Sequence, residues 1–235
     1  GSCGRSLYVG FDRDAIVIVG SSRVEIDGCL IANNDDCIAI KSVTYKDRPH
    51  DPHEDLSGNV AAVRVRGCAF FNGPAGNAME IGYELQADLI EDVVFSDCDV
   101  VHVHGFGAAI STHNSDRALV RAIRYENIRV EHCYDKLVEL RVISSRYGRD
   151  PERGRIQDVT LKDIQITYDR ANPGHTVSLI GGFDADHLVE DVTFDNVCIN
   201  GQLVTCADQL DLYVKYARGI VFTGSGIDLQ LKAAK

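Results

Sequence analysis

Short runs of alternating apolar and polar residues dominate this chain, and they recur in a fixed order. One ten-residue phrase appears six times, as SRVEIDGCLI, AAVRVRGCAF, EDVVFSDCDV, RAIRYENIRV, QDVTLKDIQI and EDVTFDNVCI. In each, apolar residues two apart lead to a Gly, Asp or Asn, and then to Cys29, Cys68, Cys98, Ile128, Ile164 or Val197. The steps between those positions are 39, 30, 30, 36 and 33 residues. A second phrase follows each first one: CIAIKS, AMEIGY, AAISTH, LVELRV, TVSLIG and LVTCAD. A period of two is strand alternation, not the 3.6-residue period of a helix.

Two strands per repeat, repeated in order, predict a solenoid in which each coil buries its alternate side chains against its neighbours. The expected fold is all-β, a right-handed parallel β-helix of about six to seven coils, as a single domain over residues 1–235. A sandwich or barrel has no reason to repeat both phrases in order. The register cysteines then stack inward as small apolar residues. Two Pro/Gly/charge-rich insertions, VTYKDRPHDPHEDLSGN (43–59) and SSRYGRDPERGR (144–155), fall between strands, where loops wall a groove or simply face solvent.

Composition narrows the function. The chain is 45% hydrophobic over 235 residues, enough for a substantial core. Its net charge of −11 argues against nucleic acid as a partner, and no apolar run is long enough to cross a membrane. None of the eight cysteines forms a CxxC pair. The opening GSCGRSLYVG lacks the basic and apolar regions of a signal peptide.

The candidate chemistry lies at the starts of two strand-like runs. Stacking Ile16–x–Ile18 on Ile38–x–Ile40 places Asp14 beside Asp36, with Asp35 adjacent. Any one of these is an ordinary turn residue. Three together, close enough to resist full ionisation, suit acid–base catalysis.

These stretches resemble glycoside hydrolase family 28, the polygalacturonase family, and the related dextranase-type family 49. The second family 28 motif is similar to NNDDCIAIKS. The first, Asn-Thr-Asp-Gly-x-x-Ile, is similar to DRDAIVI, with Asp14 at its aspartate. The third, Gly-His-Gly-x-x-Ile-Gly, is echoed by GNAMEIG from Gly76 to Gly82. The resemblance implies a right-handed parallel β-helix and an inverting glycoside hydrolase that needs no metal or other cofactor. It implies Asp35 as general acid, with Asp14 and Asp36 activating water, and an extracellular or periplasmic location. Asn77 stands where the family has His, and Ala78 where it has Gly. Ala109-Ile110-Ser111 stands where the family has Arg-Ile-Lys, the cations that hold a uronate. A poly- or oligosaccharide other than plain polygalacturonate is therefore expected, with Arg146, Arg149, Arg153 and Arg155 as alternative sources of positive charge.

Around the aspartates, Lys41, Asn77, Glu80, Tyr83 and His113 are the expected substrate-binding residues. In this register Ile40, Ile81, Ile110, Leu140 and Leu179 form one inward column, and Glu139–Arg141 reads as a structural ion pair. His102 and His104 lie on one side of a strand, but two ligands do not make a metal site. The competing function is a non-catalytic carbohydrate-binding β-helix, such as an adhesin or a degenerate family member. A lyase or epimerase would need a calcium cluster or a basic catalytic residue, and neither is evident. Since few residues precede Asp14, the chain is expected either to be a fragment lacking N-terminal coils or to self-associate through an uncapped N-terminal coil.

Overall fold

A computed structural model describes residues 13–44 and 55–224. The chain winds as a right-handed parallel β-helix with three sheets running along its axis. The first sheet, which carries the candidate site, stacks β1 (Ile16–Val19), β4 (Ile38–Thr44), β8 (Met79–Leu85), β11 (Ala108–Asn114), β14 (Lys136–Val142), β17 (Val177–Gly181) and β21 (Leu212–Lys215). The second stacks β2 (Val24–Asp27), β6 (Val60–Arg66), β9 (Leu89–Ser96), β12 (Leu119–Glu126), β15 (Arg155–Lys162), β18 (Val189–Asp195) and β22 (Ala217–Thr223). The third stacks β3 (Leu30–Asn33), β7 (Ala69–Asn72), β10 (Asp99–Val103), β13 (Arg129–Val130), β16 (Gln165–Ile166) and β19 (Cys198–Ile199). Two short antiparallel additions complete the sheets, β5 (Asp55–Leu56) on β4 and β20 (Gln202–Leu203) on β19. One turn of 3₁₀ helix spans Ala207–Leu210. No helix among the described residues is long and apolar enough to cross a membrane.

The repeated phrase is the corner between the second and third sheets. Its Gly, Asp or Asn is Gly28, Gly67, Asp97, Asn127, Asp163 or Asn196, each with φ between 51° and 64°. That left-handed conformation turns the chain in a single residue, and only Gly, Asn and Asp adopt it readily. The next side chain then points inward. Cys68, Cys98, Ile128, Ile164 and Val197 are buried there, while Cys29 is half-buried in the first coil. Cys37, Cys68, Cys98 and Cys133 are buried and form no disulfide, as expected of packing residues, whereas Cys206 is exposed.

Inside, in-register columns replace the single core of a globular domain. Val65, Phe95, Tyr125, Leu161 and Phe194 occupy one line across five coils and are buried throughout. Phe95 and Tyr125 stack with ring centres 5.2 Å apart. Each such side chain contributes roughly 1.5–3 kcal/mol by leaving water, and the stacks add to this.

The first sheet corrects one detail of the register. Thr112, not Ile110, lies between Ile81 and Leu140, and Ile180 follows Leu140. Ser111 therefore sits between Glu80 and Glu139, the place expected for Ala109. The N-terminal end through which self-association was expected, residues 1–12, lies outside the described residues, as do residues 45–54 of the first insertion.

Candidate active site

The loop that enters each strand of the first sheet builds the site. Ile16 pairs with Ile38 and Ile38 with Met79, so Asp14, Asp36 and Asn77, each two residues earlier, form one column. Backbone bonds hold the stack in place. Ala15 N–H donates to the Asp36 carbonyl at 2.8 Å, and Cys37 N–H donates to the Asn77 carbonyl at 2.9 Å. Asn33 and Asn72, on β3 and β7, add side-chain donors to the Asp36 and Asp35 carbonyls at 3.1 and 2.7 Å. Gly76, at φ 72°, passes so close to this turn that a Cβ would lie 2.3 Å from Asp35 C and Asp36 N. A side chain there would displace the aspartates.

One carboxylate oxygen from each of Asp14, Asp35 and Asp36 falls within 4.8 Å of the others, so the structure brings the expected triplet together. Their settings differ. Asp36 is buried and accepts from Asn77 N–H at 2.6 Å and from the Asn77 side-chain amide at 3.0 Å. Burial, reinforced by Glu80, Asp14 and Asp35, raises its pKa well above the usual carboxylate range despite those bonds. Asp14 pairs with Lys41 at 2.9 Å, and Lys41 also reaches Glu84 at 3.4 Å. Burial opposes the charge of Lys41, but Glu84 and Asp14 outweigh it and raise its pKa. Asp35 faces the cleft and caps the turn by accepting from Asp36 N–H at 3.0 Å.

The triplet lies in a cleft of about 1020 Å³. Arg13 and Lys41 flank it at one end, and Phe106, Lys136 and Arg141 line it further along the axis. Tyr83 and Tyr147 line it as well, with ring centres 5.5 Å apart. The 144–155 insertion thus contributes to the wall through Arg146 and Tyr147. Buried Asp116 anchors that insertion by accepting backbone N–H groups of Leu85, Arg149 and Asp150 at 2.9, 2.5 and 2.7 Å.

Of the expected binding residues, Lys41, Asn77 and Tyr83 line the cleft, whereas Glu80 and His113 lie behind it. His113 is buried, with Nδ1 2.9 Å from Glu80 and Nε2 3.3 Å from Glu139. Ser111 Oγ donates to the other Glu80 oxygen. Burial works against charge on His113, but Glu80 and Glu139 prevail and lift its pKa to about 10. The Tyr83 ring lies flat on this imidazolium, centres 4.3 Å apart and planes within 1°. Glu139 also meets Arg141 at 3.3 Å, the ion pair read from the sequence.

Lys136 and Tyr147 were not singled out by the sequence reading. The signal for Lys136 was its column: Ala108 pairs with Lys136, and the same register carries back through Asn77 to Asp36. Tyr147 sits in an insertion that has no repeat to align.

The family model for glycosyl hydrolases family 28 matches residues 11–211, covering both the aspartate triplet and the stacked coils behind it. The chain belongs to that family. It is also 25% identical over 199 residues to a protein of Neosartorya fischeri described as a probable endopolygalacturonase. That match covers 82% of this chain and 46% of the relative, so the chain spans about half the length of the curated protein it matches.

Proposed function

We propose that this family 28 chain hydrolyses the glycosidic bonds of a poly- or oligosaccharide other than plain polygalacturonate, using Asp14, Asp35 and Asp36. The observation that carries the proposal is the three convergent carboxylates on the floor of an open cleft. Hydrolysis needs one protonated carboxyl to protonate the leaving oxygen and an ionised carboxylate to act on water. Asp35 faces the cleft and is the donor in the family scheme. Asp14, held beside Lys41, and Asp36, held by Asn77, flank the position of an attacking water.

The resemblance to family 28 is what supports inversion, since inverting and retaining schemes each use one acid and one further carboxylate. The spacing points the other way: nearest oxygens within 4.8 Å are closer than the roughly 6.5–9.5 Å usual for inverting pairs. The anomer first released, read by NMR, decides between them.

The substrate reading rests on what replaces the family's cations. Ala109 and Ser111 are both buried, and Ser111 is committed to Glu80. Positive charge enters the cleft elsewhere, from Arg13 and Lys41 beside the triplet and from Lys136, Arg141 and Arg146 on later coils. Tyr83 and Tyr147 offer ring faces suited to a sugar.

The test is reducing-sugar release from a panel of neutral and acidic glycans, comparing the chain with Asp35→Asn. Release that falls at least 100-fold in a folded variant supports the reading and names the substrate class. Equal glycan binding by both proteins with no release would favour a non-catalytic carbohydrate-binding β-helix. Plain polygalacturonate as the best substrate would overturn the substrate reading alone.

A further inference from the structure

A second cluster of chemically capable side chains lies outside the acid triplet. His102 is on β10, His104 follows that strand by one residue, and His132 lies just beyond β13 on the next coil. Strand alternation puts the first two on one side, and parallel stacking delivers the third. The backbone beneath them is fixed. Val103 N–H donates to the His132 carbonyl at 2.9 Å, and Tyr134 N–H donates to the Val103 carbonyl at 3.0 Å.

His104 Nδ1 lies 3.3 Å from His132 Nε2, and one ring nitrogen of each of the three histidines falls within 4.8 Å of the others. Zinc–imidazole bonds of about 2.0–2.1 Å in a tetrahedron place ligand nitrogens roughly 3.3–3.4 Å apart. One edge of that polyhedron is already at length. A shared N–H would account for His104 and His132 but gives no reason for His102. The rings are now stacked, His102 on His132 with centres 4.6 Å apart, so they would have to turn to aim their nitrogens at one ion.

We propose that His102, His104 and His132 bind one divalent transition-metal ion of the zinc or copper class, with a fourth position left to water. Three imidazoles without a carboxylate suit these ions and not magnesium or calcium, which need oxygen ligands. Bound metal would clasp the β10–β11 loop to the β13–β14 loop. Phe106 of the first loop and Lys136, the first residue of β14, line the cleft, so the ion would brace one wall without touching the aspartates.

The experiment is zinc titration of the metal-stripped chain by calorimetry, with thermal unfolding measured in parallel. Magnesium and calcium serve as controls, alongside the variants His104→Ala, His132→Ala and Asp36→Asn. The expected result is one zinc per chain at micromolar Kd or tighter, with a rise in Tm of several degrees. Affinity should fall at least 100-fold in either histidine variant and be unchanged in Asp36→Asn. The copper-loaded chain should show nitrogen hyperfine splitting by electron paramagnetic resonance. Absence of binding, equal binding by His104→Ala, or loss only in Asp36→Asn would each overturn the proposal. None of these readouts depends on glycan hydrolysis.

Discussion

Replacing His113 with Gln tests the buried ion network most directly. His113 is 2% exposed between Glu80 and Glu139, and its pKa is about 10 against an ordinary value near 6.5. A histidine whose pKa rises on folding stabilises fully below the unfolded value, and the effect fades as pH climbs through the folded one. Linkage over this interval gives on the order of 4 kcal/mol at pH 7, falling to on the order of 1 kcal/mol at pH 9. Glu139 has the opposite sign. Burial would raise its pKa, but His113 and Lys136 outweigh that and lower it, so its contribution is lost as pH falls through the depressed value. The network should therefore stabilise most between about pH 4.5 and 6.5.

The assay is urea unfolding of the parent and His113→Gln from pH 5 to 9.5. The variant should be about 3–5 kcal/mol less stable at pH 6, the usual loss when one partner of a buried ion pair is removed. The difference should shrink by about 2–3 kcal/mol on reaching pH 9. A difference that stays constant over this range would refute the buried imidazolium, because loss of packing alone does not titrate.

Three further outcomes follow from the same geometry. Asp116→Ala leaves the N–H groups of Leu85, Arg149 and Asp150 without their acceptor; it should cost about 3 kcal/mol by urea unfolding. It should also raise KM more than it lowers kcat, since it frees the loop that carries Tyr147. Ala122 is held at φ 54°, so Ala122→Gly should raise stability by about 0.5–1 kcal/mol in the same assay. Asp36→Asn should lower kcat by at least 100-fold while glycan binding, measured by calorimetry, changes little.

The corners and the triplet were legible because each had a chemical signature. Gly, Asp or Asn at a left-handed corner followed by an inward Cys, Ile or Val is a local rule, and it located all six corners. A second left-handed column was invisible: Arg23, Ala62, Asp92, Ala122, Asp158 and Asp191 kink the second sheet once per coil. Arginine and alanine give no warning of such a conformation, which stacking imposes. The shift around Ser111 arose because the Ala-rich run GAAIST fits two registers equally well, and that around Leu179 because the β14–β17 pairing slips between Lys136 and Glu139.

The third histidine of the cluster was hidden for a related reason. His102 and His104 are neighbours in sequence, whereas His132 joins them only through the step from one coil to the next. The same step explains how a family site can change while the triplet stays in place. Asp14, Asp36 and Asn77 are held by backbone bonds between adjacent coils, which are indifferent to the side chains of later coils. On the coil after Asn77, Ser111 turns to Glu80, and the buried His113 fills the space behind Tyr83. Tyr83 thus presents a flat aromatic surface to the cleft, backed by the buried His113. Under the proposed function, a solenoid lets sugar preference drift coil by coil without moving the aspartates.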